Sequence, residues 1–563
     1  MSTKKGTYHL YLWENFDYAE FIRLYRHFCA NWKVEWSIDE TTYTTPVMAN
    51  GMMDIRPLNA KKTIKTIRAL KDDNKIIQKC KYLQHSIIVS VHTKAYEGDK
   101  DLHHTISINS SISVEVLGKD FYPMRKALME MGYMKFHYEN NVQRFNIFSY
   151  SSSYEIKDTP IIKEISIDAT IKRYIDKLKD TLTERKNEYI SIVNLNVKKK
   201  EDFIKNYNLS LNKINIKDKK RFSEELNKYN YSNLTIYNNY VFNALLSKYK
   251  EITKIDYKNN RIYHVLTNLK REYKKYLNIK YSIDSKNSHP LLFNYILFKY
   301  YDISLETSLR ISNIFYLLYH KYDISISYTT YHYDGKSLYN FLIDNGINKS
   351  EIADIPFNVF EYVYNTTNGL LWDDILKYVI NEREDIINKL SERHPEVQEL
   401  QGDEKVSKLR SIIKIAMFAE VFYSHTGFLF KDEDGEDIKP LAAYFKDLYP
   451  SVYSIISKFK NLKKCKDNKI FDCLASVGLE YNYIENTHGI LPNAMMKLEA
   501  NIFTHALDML YIKKYRAVNI HDAIVVPDVS NAPSVEEVEK VLRECYAENG
   551  LYPTFSVDYY NVI

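Results

Sequence analysis

The hydrophobic and polar positions of residues 1–165 predict a mixed α/β segment. Apolar and polar residues alternate, as is typical of strands, in "HLYLWENF", "SIIVSVHTKAY" and "HTISINSSISVEVLG". Between the first two stretches, "KKTIKTIRALKDDNKIIQKCKYL" has apolar residues at helical spacing, and "FYPMRKALMEMGYMKFHYENNVQRFNIFSY" predicts a helix followed by a hairpin. We therefore expect an N-terminal α/β domain.

The pattern becomes helical and rich in Lys and Asn over residues 168–256. "IKRYIDKLKDTLTERKNEYISIV" and "KDKKRFSEELNKY" place apolar residues on one side of a helix and charges on the other. Charge runs such as "VKKKEDFIK" are typical of helix faces in contact with solvent, and the same faces can bind phosphates. The sequence predicts a helical region here and leaves both uses of its surface open.

Two carboxylates follow apolar, β-branched stretches in the C-terminal half. "YLNIKYSIDSKNSHPLLFNYIL" predicts a strand that ends at Asp284, a tight turn and an apolar helix, and "NIHDAIVVPD" predicts a hairpin whose turn carries His521 and Asp522. Asn and Asp favour surface turns in any case. Two strand-end carboxylates are also what a two-metal phosphoryl-transfer site needs, and their oxygens suit Mg²⁺.

Between these carboxylates, "KLRSIIKIAMFAEVFYSHTGF" predicts a helix with one stripe of special composition. Arg410, Lys414, Phe418 and Phe422 recur every four residues and therefore share a helix face. An ordinary amphipathic helix with two basic residues at its edge has the same pattern. In a nucleotide site, the two cations would bind a triphosphate and the aromatic rings would cover a base.

Composition and charge narrow the class of protein. The 563 residues are enough for roughly three or four domains, and the net charge of +6 is mildly basic. The 50 tyrosines put many aromatic faces beside many ammonium groups, a surface suited to nucleic acid. Five cysteines without CxxC spacing predict neither a zinc site nor a disulfide framework. No signal peptide or membrane span is expected, so the chain is expected to be cytoplasmic.

The order of these three stretches resembles motifs A, B and C of the family A DNA polymerases and the phage-type single-subunit polymerases. "YSIDSKNSHPLLF" is similar to motif A, "RSIIKIAMFAEVFY" keeps the R-x3-K-x3-F-x3-aromatic spacing of motif B, and "VNIHDAIVV" resembles the His-Asp hairpin of motif C. Further stretches in the same order resemble other parts of this family: "RIYHVLTNLKREYKKYL", "NGLLWDDILKYV", "YFKDLYPSVYSIISKF" and "NAMMKLEANIFTHALDML". The resemblance covers about 258–563.

The resemblance implies an α+β, multidomain right-hand polymerase with an antiparallel palm sheet, helical fingers and a helical thumb. The implied segments are an N-terminal α/β domain at 1–165, a helical thumb-like region at 166–258, palm at 259–330, fingers at 331–485 and palm at 486–563. No acidic pattern of a proofreading exonuclease is visible in 1–165. The small size fits a replication protein of a phage, plasmid or other mobile element, with partners that could bind residues 1–165.

The resemblance also implies a role for individual residues. Two Mg²⁺ ions, which Mn²⁺ can replace, would be bound by Asp284 and Asp522. Arg410 and Lys414 would bind the nucleoside triphosphate, and His521 would lie at the primer terminus. The residues expected around the nucleotide are Arg410, Lys414, Phe418, Phe422, Tyr423 and His289. The residues expected to contact primer and template are Tyr263, Thr267, Asn268, Lys270, Arg271, Asn493 and Lys497.

The sequence departs from the family pattern at positions that would select the sugar of the nucleotide and at positions that would lie beside the nucleotide or the primer and template. His289 occupies the place where DNA polymerases have a bulky Glu and RNA polymerases a small residue, which favours deoxynucleotides because a large side chain clashes with a 2′-hydroxyl. Ala523 stands where DNA polymerases have an acidic residue, and its small size resembles that of the residue which RNA polymerases have there. Phe422 and Tyr423 replace Tyr and Gly, and Lys497 replaces Gln.

Three functions follow from these patterns. The first is a DNA polymerase that extends a 3′-hydroxyl by two-metal phosphoryl transfer. The second is an RNA polymerase or primase on the same fold. The third is a nucleic-acid-binding replication protein with a degenerate polymerase fold, against which the presence of both Asp284 and Asp522 argues. A reverse transcriptase is disfavoured because "LWDDIL" has a helical pattern rather than that of a hairpin.

Overall fold

The chain combines helices with small antiparallel sheets, as a computed structural model shows, and the predicted α+β class is confirmed. Contacts divide the chain into two compact units, Met1–Glu188 with Ser223–Asn243, and Tyr189–Phe222 with Ala244–Ile563. The structure describes residues 10–31, 44–49, 52–57, 67–94, 105–136, 145–146, 149–156, 161–164, 169–228, 245–247, 249–256, 258–267, 269, 271–322, 339–382, 387–388, 391, 394–423, 440–462, 465–479 and 489–560.

In its described residues, the first unit contains short antiparallel strands and several helices before the long helix Ala169–Ile192, which continues past the end of this stretch of the unit at Glu188. Its strands are Leu10–Trp13, Thr44–Ala49, Met52–Pro57, Thr105–Asn109, Met134–Phe136, Phe145–Asn146, Ser149–Ile156 and Ile161–Glu164. Its earlier α-helices are Tyr18–Ala30, Asp73–Lys94, Ser110–Leu117 and Phe121–Glu130. The first strand pairs with the last, and Ser149–Ile156 lies between Thr105–Asn109 and Met134–Phe136.

The predicted strand at "SIIVSVHTKAY" is wrong, because the helix Asp73–Lys94 continues through this stretch. Its β-branched residues favour a strand locally. However, Ile76, Cys80, Leu83 and Ile87 recur at helical spacing, and all four are buried in the core of the first unit. Burial of this continuous apolar face outweighs the local preference.

The predicted strand at "HTISINSSISVEVLG" is only half observed. Thr105–Asn109 is a strand, and Ser110–Leu117 directly after it is a helix. The helix predicted at "FYPMRKALMEMG" is present as Phe121–Glu130, and the strand Met134–Phe136 follows it. The turn predicted at residues 139–141 lies outside the described residues.

The second unit is mostly helical around one four-stranded sheet. Its α-helices are Lys200–Leu211, Arg271–Lys274, Ser288–Tyr300, Leu305–His320, Lys349–Ile352, Phe357–Thr367, Leu371–Glu382, Gly402–Met417, Pro440–Leu448, Pro450–Lys460, Asn468–Ser476, Ile490–Ile512 and Val535–Ala547; Lys219–Lys228 crosses the division between the units. Its strands are Lys254–Ile255, Ile262–Tyr263, Ile279–Ser285, Val518–Ile520, Ala523–Pro527 and Phe555–Tyr559.

The four-stranded sheet has the strand order Val518–Ile520, Ala523–Pro527, Ile279–Ser285 and Phe555–Tyr559. The predicted hairpin and the predicted Asp284 strand are therefore neighbours in one antiparallel sheet, although more than 200 residues separate them in sequence. The helix after Asp284, Ser288–Tyr300, is almost entirely buried, as expected for an apolar helix that covers a sheet.

The predicted division into five segments differs in detail from the two units. The first unit continues beyond residue 165 to Glu188 and also includes Ser223–Asn243, so that the helical stretch 166–258 is shared between both units. None of the helices in the described part of the chain is long and apolar enough to cross a membrane.

Candidate metal and nucleotide site

Asp284 lies near the end of the Ile279–Ser285 strand, directly opposite Ala523 on one neighbouring strand and Ser556 on the other. Tyr281 and Ile283 anchor this strand, because both side chains are almost completely buried. β-branched and aromatic residues suit such a central strand. The apolar core therefore holds the backbone that carries the carboxylate.

Asp522 is held beside the same strand by the predicted hairpin. Ile520 pairs with Ala523, so that His521 and Asp522 form a two-residue turn, and His521 takes a left-handed backbone with φ of 52°. The backbone N–H of Ser285 donates to the carbonyl of Asp522 over 3.4 Å. The structure thus brings the two predicted metal ligands to one edge of the sheet.

The two carboxylates influence each other. Burial raises the pKa of Asp284 to about 7, and the neighbouring charge of Asp522 adds to this shift, whereas the ammonium of Lys414 opposes it. Burial also raises the pKa of Asp522. Burial favours the neutral acid, and so does a second negative charge nearby. A cation at this place would reverse both effects.

Two buried polar atoms near the turn, one on Asp284 and one on His521, make no hydrogen bond within the described residues. Among the described residues, none donates a hydrogen bond to the buried Oδ1 of Asp284, and the buried Nδ1 of His521 also lacks a partner there. A buried carboxylate oxygen without a donor is costly. Mg²⁺ commonly uses one or two carboxylates and completes its shell with water and phosphate oxygens. The described residues contain no group of three or more His, Cys, Asp or Glu placed to hold a metal, so Asp284 and Asp522 would have to rely on such additional oxygens.

Behind the carboxylate pair lies a buried ionic cluster, which we define as Arg261, Glu499, His289 and Ser288. The guanidinium of Arg261 donates to Oε1 of Glu499 from Nη2 over 2.6 Å and from Nε over 3.0 Å. Nε2 of His289 lies 3.2 Å from Oε2, and the Ser288 hydroxyl donates to Oε2 over 3.3 Å. Burial disfavours the charge of Glu499, but His289 and Arg261 outweigh it and lower its pKa to about 2.

The ring of His289 is held from both sides. Its Nε2 faces Glu499, and its Nδ1 is hydrogen-bonded to the hydroxyl of Tyr423. The rings of Phe418 and Tyr423 both meet it edge-on, with centroids 6.1 and 5.9 Å away. His289, Phe418 and Tyr423, all predicted around the nucleotide, are therefore in mutual contact.

The helix that carries the predicted stripe changes its winding. Gly402–Met417 is α-helical, whereas Phe418–Phe422 forms a π-turn in which the N–H of Tyr423 donates to the carbonyl of Phe418 over 2.8 Å. Such single π-turns inside helices are frequent at functional sites.

The last step of the predicted stripe, from Phe418 to Phe422, lies in the π-turn, and the two rings are in contact with centroids 5.8 Å apart. Phe422 is completely buried, with its ring against Phe293 and Phe445, and has no face open to a nucleotide base. The five-residue turn instead places Tyr423 after Phe418 on the side of His289. Tyr423 takes the place that the sequence pattern assigned to Phe422.

The two cations of the stripe have different surroundings. Arg410 donates to both carboxylate oxygens of Asp373, over 2.5 and 3.0 Å, and Asp373 belongs to the helix Leu371–Glu382. Lys414 is exposed, and its charge lowers the pKa of Asp284. Lys414 thus acts electrostatically on Asp284, whereas Arg410 is paired with Asp373.

The residues predicted along primer and template are placed in several local contacts. The ring of Tyr263 meets that of His521 edge-on at 6.2 Å, and the hydroxyl of Thr267 donates to the carbonyl of His264 over 2.6 Å. Asn493 accepts from the amide of Asn259 over 3.2 Å. Lys497 donates to the carbonyl of Gly478. Asn268, Lys270 and the side chain of Arg271 lie outside the described residues.

Sequence reasoning missed Arg261, Glu499 and Asp558. Asp558 lies on the strand Phe555–Tyr559 and contributes to the raised pKa of Asp284. One signal was available, because Glu499 interrupts the apolar helix pattern of "MMKLEANIF", and a charged residue at a buried position is almost always paired. Its partner Arg261 could not be identified from a position 238 residues away.

Searches of the chain against protein-family models, curated proteins and solved structures find no match.

Proposed function

We propose that this chain is a template-directed nucleotidyltransferase with a right-hand polymerase architecture, and that it extends a 3′-hydroxyl with deoxynucleoside triphosphates. The observation that carries the proposal is the pair Asp284 and Asp522, which two adjacent strands hold at one sheet edge, where Lys414 acts on Asp284. In this assignment, the sheet is the palm and the helix Gly402–Met417 belongs to the fingers.

The residues around Asp284 and Asp522 would have separate roles in phosphoryl transfer. Bound there, two Mg²⁺ ions would activate the 3′-hydroxyl and stabilise the leaving oxygens. Lys414 would neutralise the triphosphate, and Arg410 would join it after exchanging Asp373 for phosphate, because guanidinium binds both anions in the same forked geometry. Phe418 and Tyr423 would border the base.

The choice of sugar rests on His289. The residue is 7% exposed and its ring is held by Glu499 and Tyr423, so it has little freedom to move away from a 2′-hydroxyl. This favours deoxynucleotides. An RNA polymerase or primase on the same fold remains the second candidate because of Ala523, which is small and lies directly opposite Asp284.

The direct test is extension of a labelled primer on a DNA template by the purified chain, with either dNTPs or rNTPs and with Mg²⁺, Mn²⁺ or EDTA. We expect metal-dependent extension with dNTPs. Equal or better use of rNTPs would favour the RNA polymerase or primase. A chain that binds primer and template but extends none with either nucleotide would favour the degenerate binding protein.

The variant His289→Ala tests the sugar filter. Removing the ring opens space for a 2′-hydroxyl, and we expect the preference for dNTPs over rNTPs, measured as a ratio of kcat/KM values, to fall about tenfold to hundredfold. Most of this change should come from better use of rNTPs. An unchanged ratio would show that His289 does not select the sugar.

A further inference from the structure

A second buried polar group lies behind the turn that carries Asp522, and we define it as the Asn519 network: Asn519, Tyr207 and His264. Asn519 lies two residues before His521, in the strand Val518–Ile520, and is 4% exposed. Tyr207 and His264 are also buried. Three polar side chains that meet in an apolar interior are costly unless each is hydrogen-bonded, so their mutual bonds need an explanation.

The carbonyl of Asn519 is the centre of the network. The hydroxyl of Tyr207 lies 3.1 Å from this carbonyl and 3.0 Å from the side-chain oxygen of the same residue. Nε2 of His264 lies 2.9 Å from the carbonyl. The side-chain amide of Asn519 in turn reaches the carbonyl of His521 over 3.5 Å. The bonds therefore lead from two distant segments directly to the turn.

The tautomer of His264 follows from its second nitrogen. Nδ1 accepts the backbone N–H of Leu266 over 3.3 Å, so Nε2 must carry the proton and donates to Asn519. Burial lowers the pKa of His264 to about 4, which keeps the ring neutral at pH 7. Thr267 fixes the backbone of His264 by accepting its N–H over 3.2 Å and donating to its carbonyl over 2.6 Å. The donor is thus held in place.

The turn needs such support. His521 adopts φ of 52°, a left-handed conformation that is unfavourable for a residue with a Cβ. Conformations of this kind persist only where the surroundings over-determine them. Without the network, the two-residue turn could relax towards φ below zero, and the carboxylate of Asp522 would move relative to Asp284.

We propose that Tyr207 and His264 are positioning residues that hold the His521–Asp522 turn, through Asn519, in the conformation that makes Asp522 a metal ligand. Tyr207 belongs to the helix Lys200–Leu211, so hydrogen bonds through Asn519 connect this helix to the His521–Asp522 turn. The inference rests on the proposed function, because it assumes that Asp522 binds a metal ion. It goes beyond that function in assigning the positioning of the ligand to two residues outside the sheet.

The test measures metal binding and activity separately, on Tyr207→Phe, His264→Leu and His264→Gln. Tyr207→Phe removes only the hydroxyl. His264→Leu removes the donor, whereas the amide of His264→Gln can still reach Asn519. The matched control is Tyr362→Phe, which removes another fully buried tyrosine hydroxyl, one that donates to the carbonyl of Pro290 over 3.0 Å.

Mn²⁺ binding is followed by electron paramagnetic resonance, and primer extension is followed as a function of Mg²⁺ concentration. Losing a group that orients a metal ligand typically costs 10- to 100-fold in metal affinity or activity. We expect about a tenfold weaker Mn²⁺ affinity and a matching rise in the half-saturating Mg²⁺ concentration for Tyr207→Phe and His264→Leu. His264→Gln should recover most of the affinity, and Tyr362→Phe should retain all of it.

Each outcome decides one question. Mn²⁺ and Mg²⁺ titrations of Tyr207→Phe and His264→Leu that superimpose on those of the unaltered chain would overturn the inference, and so would an equal loss in Tyr362→Phe. An unaltered chain that binds Mn²⁺ through Asp522 but extends no primer would overturn the proposed function, while the effect of Tyr207→Phe on Mn²⁺ affinity would still support the positioning role.

Discussion

Replacing either Asp284 or Asp522 by Asn is expected to abolish nearly all metal-dependent primer extension. The sheet holds these two carboxylates at the same end of neighbouring strands, and a neutral amide binds a divalent cation much more weakly than a carboxylate does. Metal stabilisation of the transition state is worth several kcal/mol, which corresponds to a decrease in kcat of roughly a thousandfold or more. This decrease in kcat is measured by steady-state primer extension with saturating Mg²⁺.

The same substitutions are expected to stabilise the fold without metal. Burial and the charge of Asp522 raise the pKa of Asp284 to about 7, so the ionised carboxylate is unfavourable in the folded chain above this pH. Asp284→Asn should therefore have a higher Tm than the unaltered chain at pH 8 in EDTA, together with its lost activity. The exposed Asp528, which follows the strand Ala523–Pro527, provides the control Asp528→Asn, which should change neither quantity. Full activity of Asp284→Asn would contradict the metal assignment.

Glu499→Gln is expected to have the largest effect on stability. Removing one partner of a buried ion pair leaves the other charge uncompensated, which typically costs about 3–5 kcal/mol, and Arg261 would be that charge here. Denaturant unfolding at pH 7 measures the change. Replacing both partners, as in Arg261→Met with Glu499→Leu, should recover much of the loss, because no buried charge is then left unpaired.

The contribution of Glu499 also has a definite dependence on pH. Its pKa is lowered to about 2 in the folded chain, so its ionised form stabilises the fold fully above its usual value of 4.5. This stabilisation is lost as the pH falls from 4.5 towards 2. The difference in unfolding free energy between the unaltered chain and Glu499→Gln should therefore shrink over this interval. The exposed pair Lys469 and Asp302 is the control, since Asp302→Asn should have little effect at any pH.

The local sequence pattern was sufficient to predict those elements whose signals come from neighbouring residues. The Ile279–Ser285 strand, the helix after it and the two-residue turn at His521 and Asp522 are all present where the hydrophobic alternation and the turn residues predict them. Each of these signals depends on residues a few positions apart. The helix Asp73–Lys94 shows the limit, because its β-branched end has a strand-like composition and only burial on the core of the first unit decides for a helix.

Two features of the site depended on backbone detail. The π-turn at Phe418–Phe422 shifts the stripe by one residue, so that Tyr423 and not Phe422 reaches His289. An α-helical spacing assumed throughout cannot anticipate this shift, since the extra residue per turn depends on how the helix packs. The left-handed backbone of His521 is a similar case, because a residue other than Gly adopts it only where its surroundings enforce it.

The sequence by itself determined the α+β class and the order of strand, helix and hairpin, and it singled out Asp284 and Asp522 as candidates. Only the tertiary structure decided which residues come together: Asp284 beside Asp522, whose charge raises the pKa of Asp284, Arg261 with Glu499, and Tyr207 with Asn519. The physical reason is the distance along the chain over which each kind of interaction acts. Propensity, periodicity and turn chemistry act over a few residues, whereas these contacts join positions more than 230 residues apart and arise only when a sheet and its helices bury their apolar faces together.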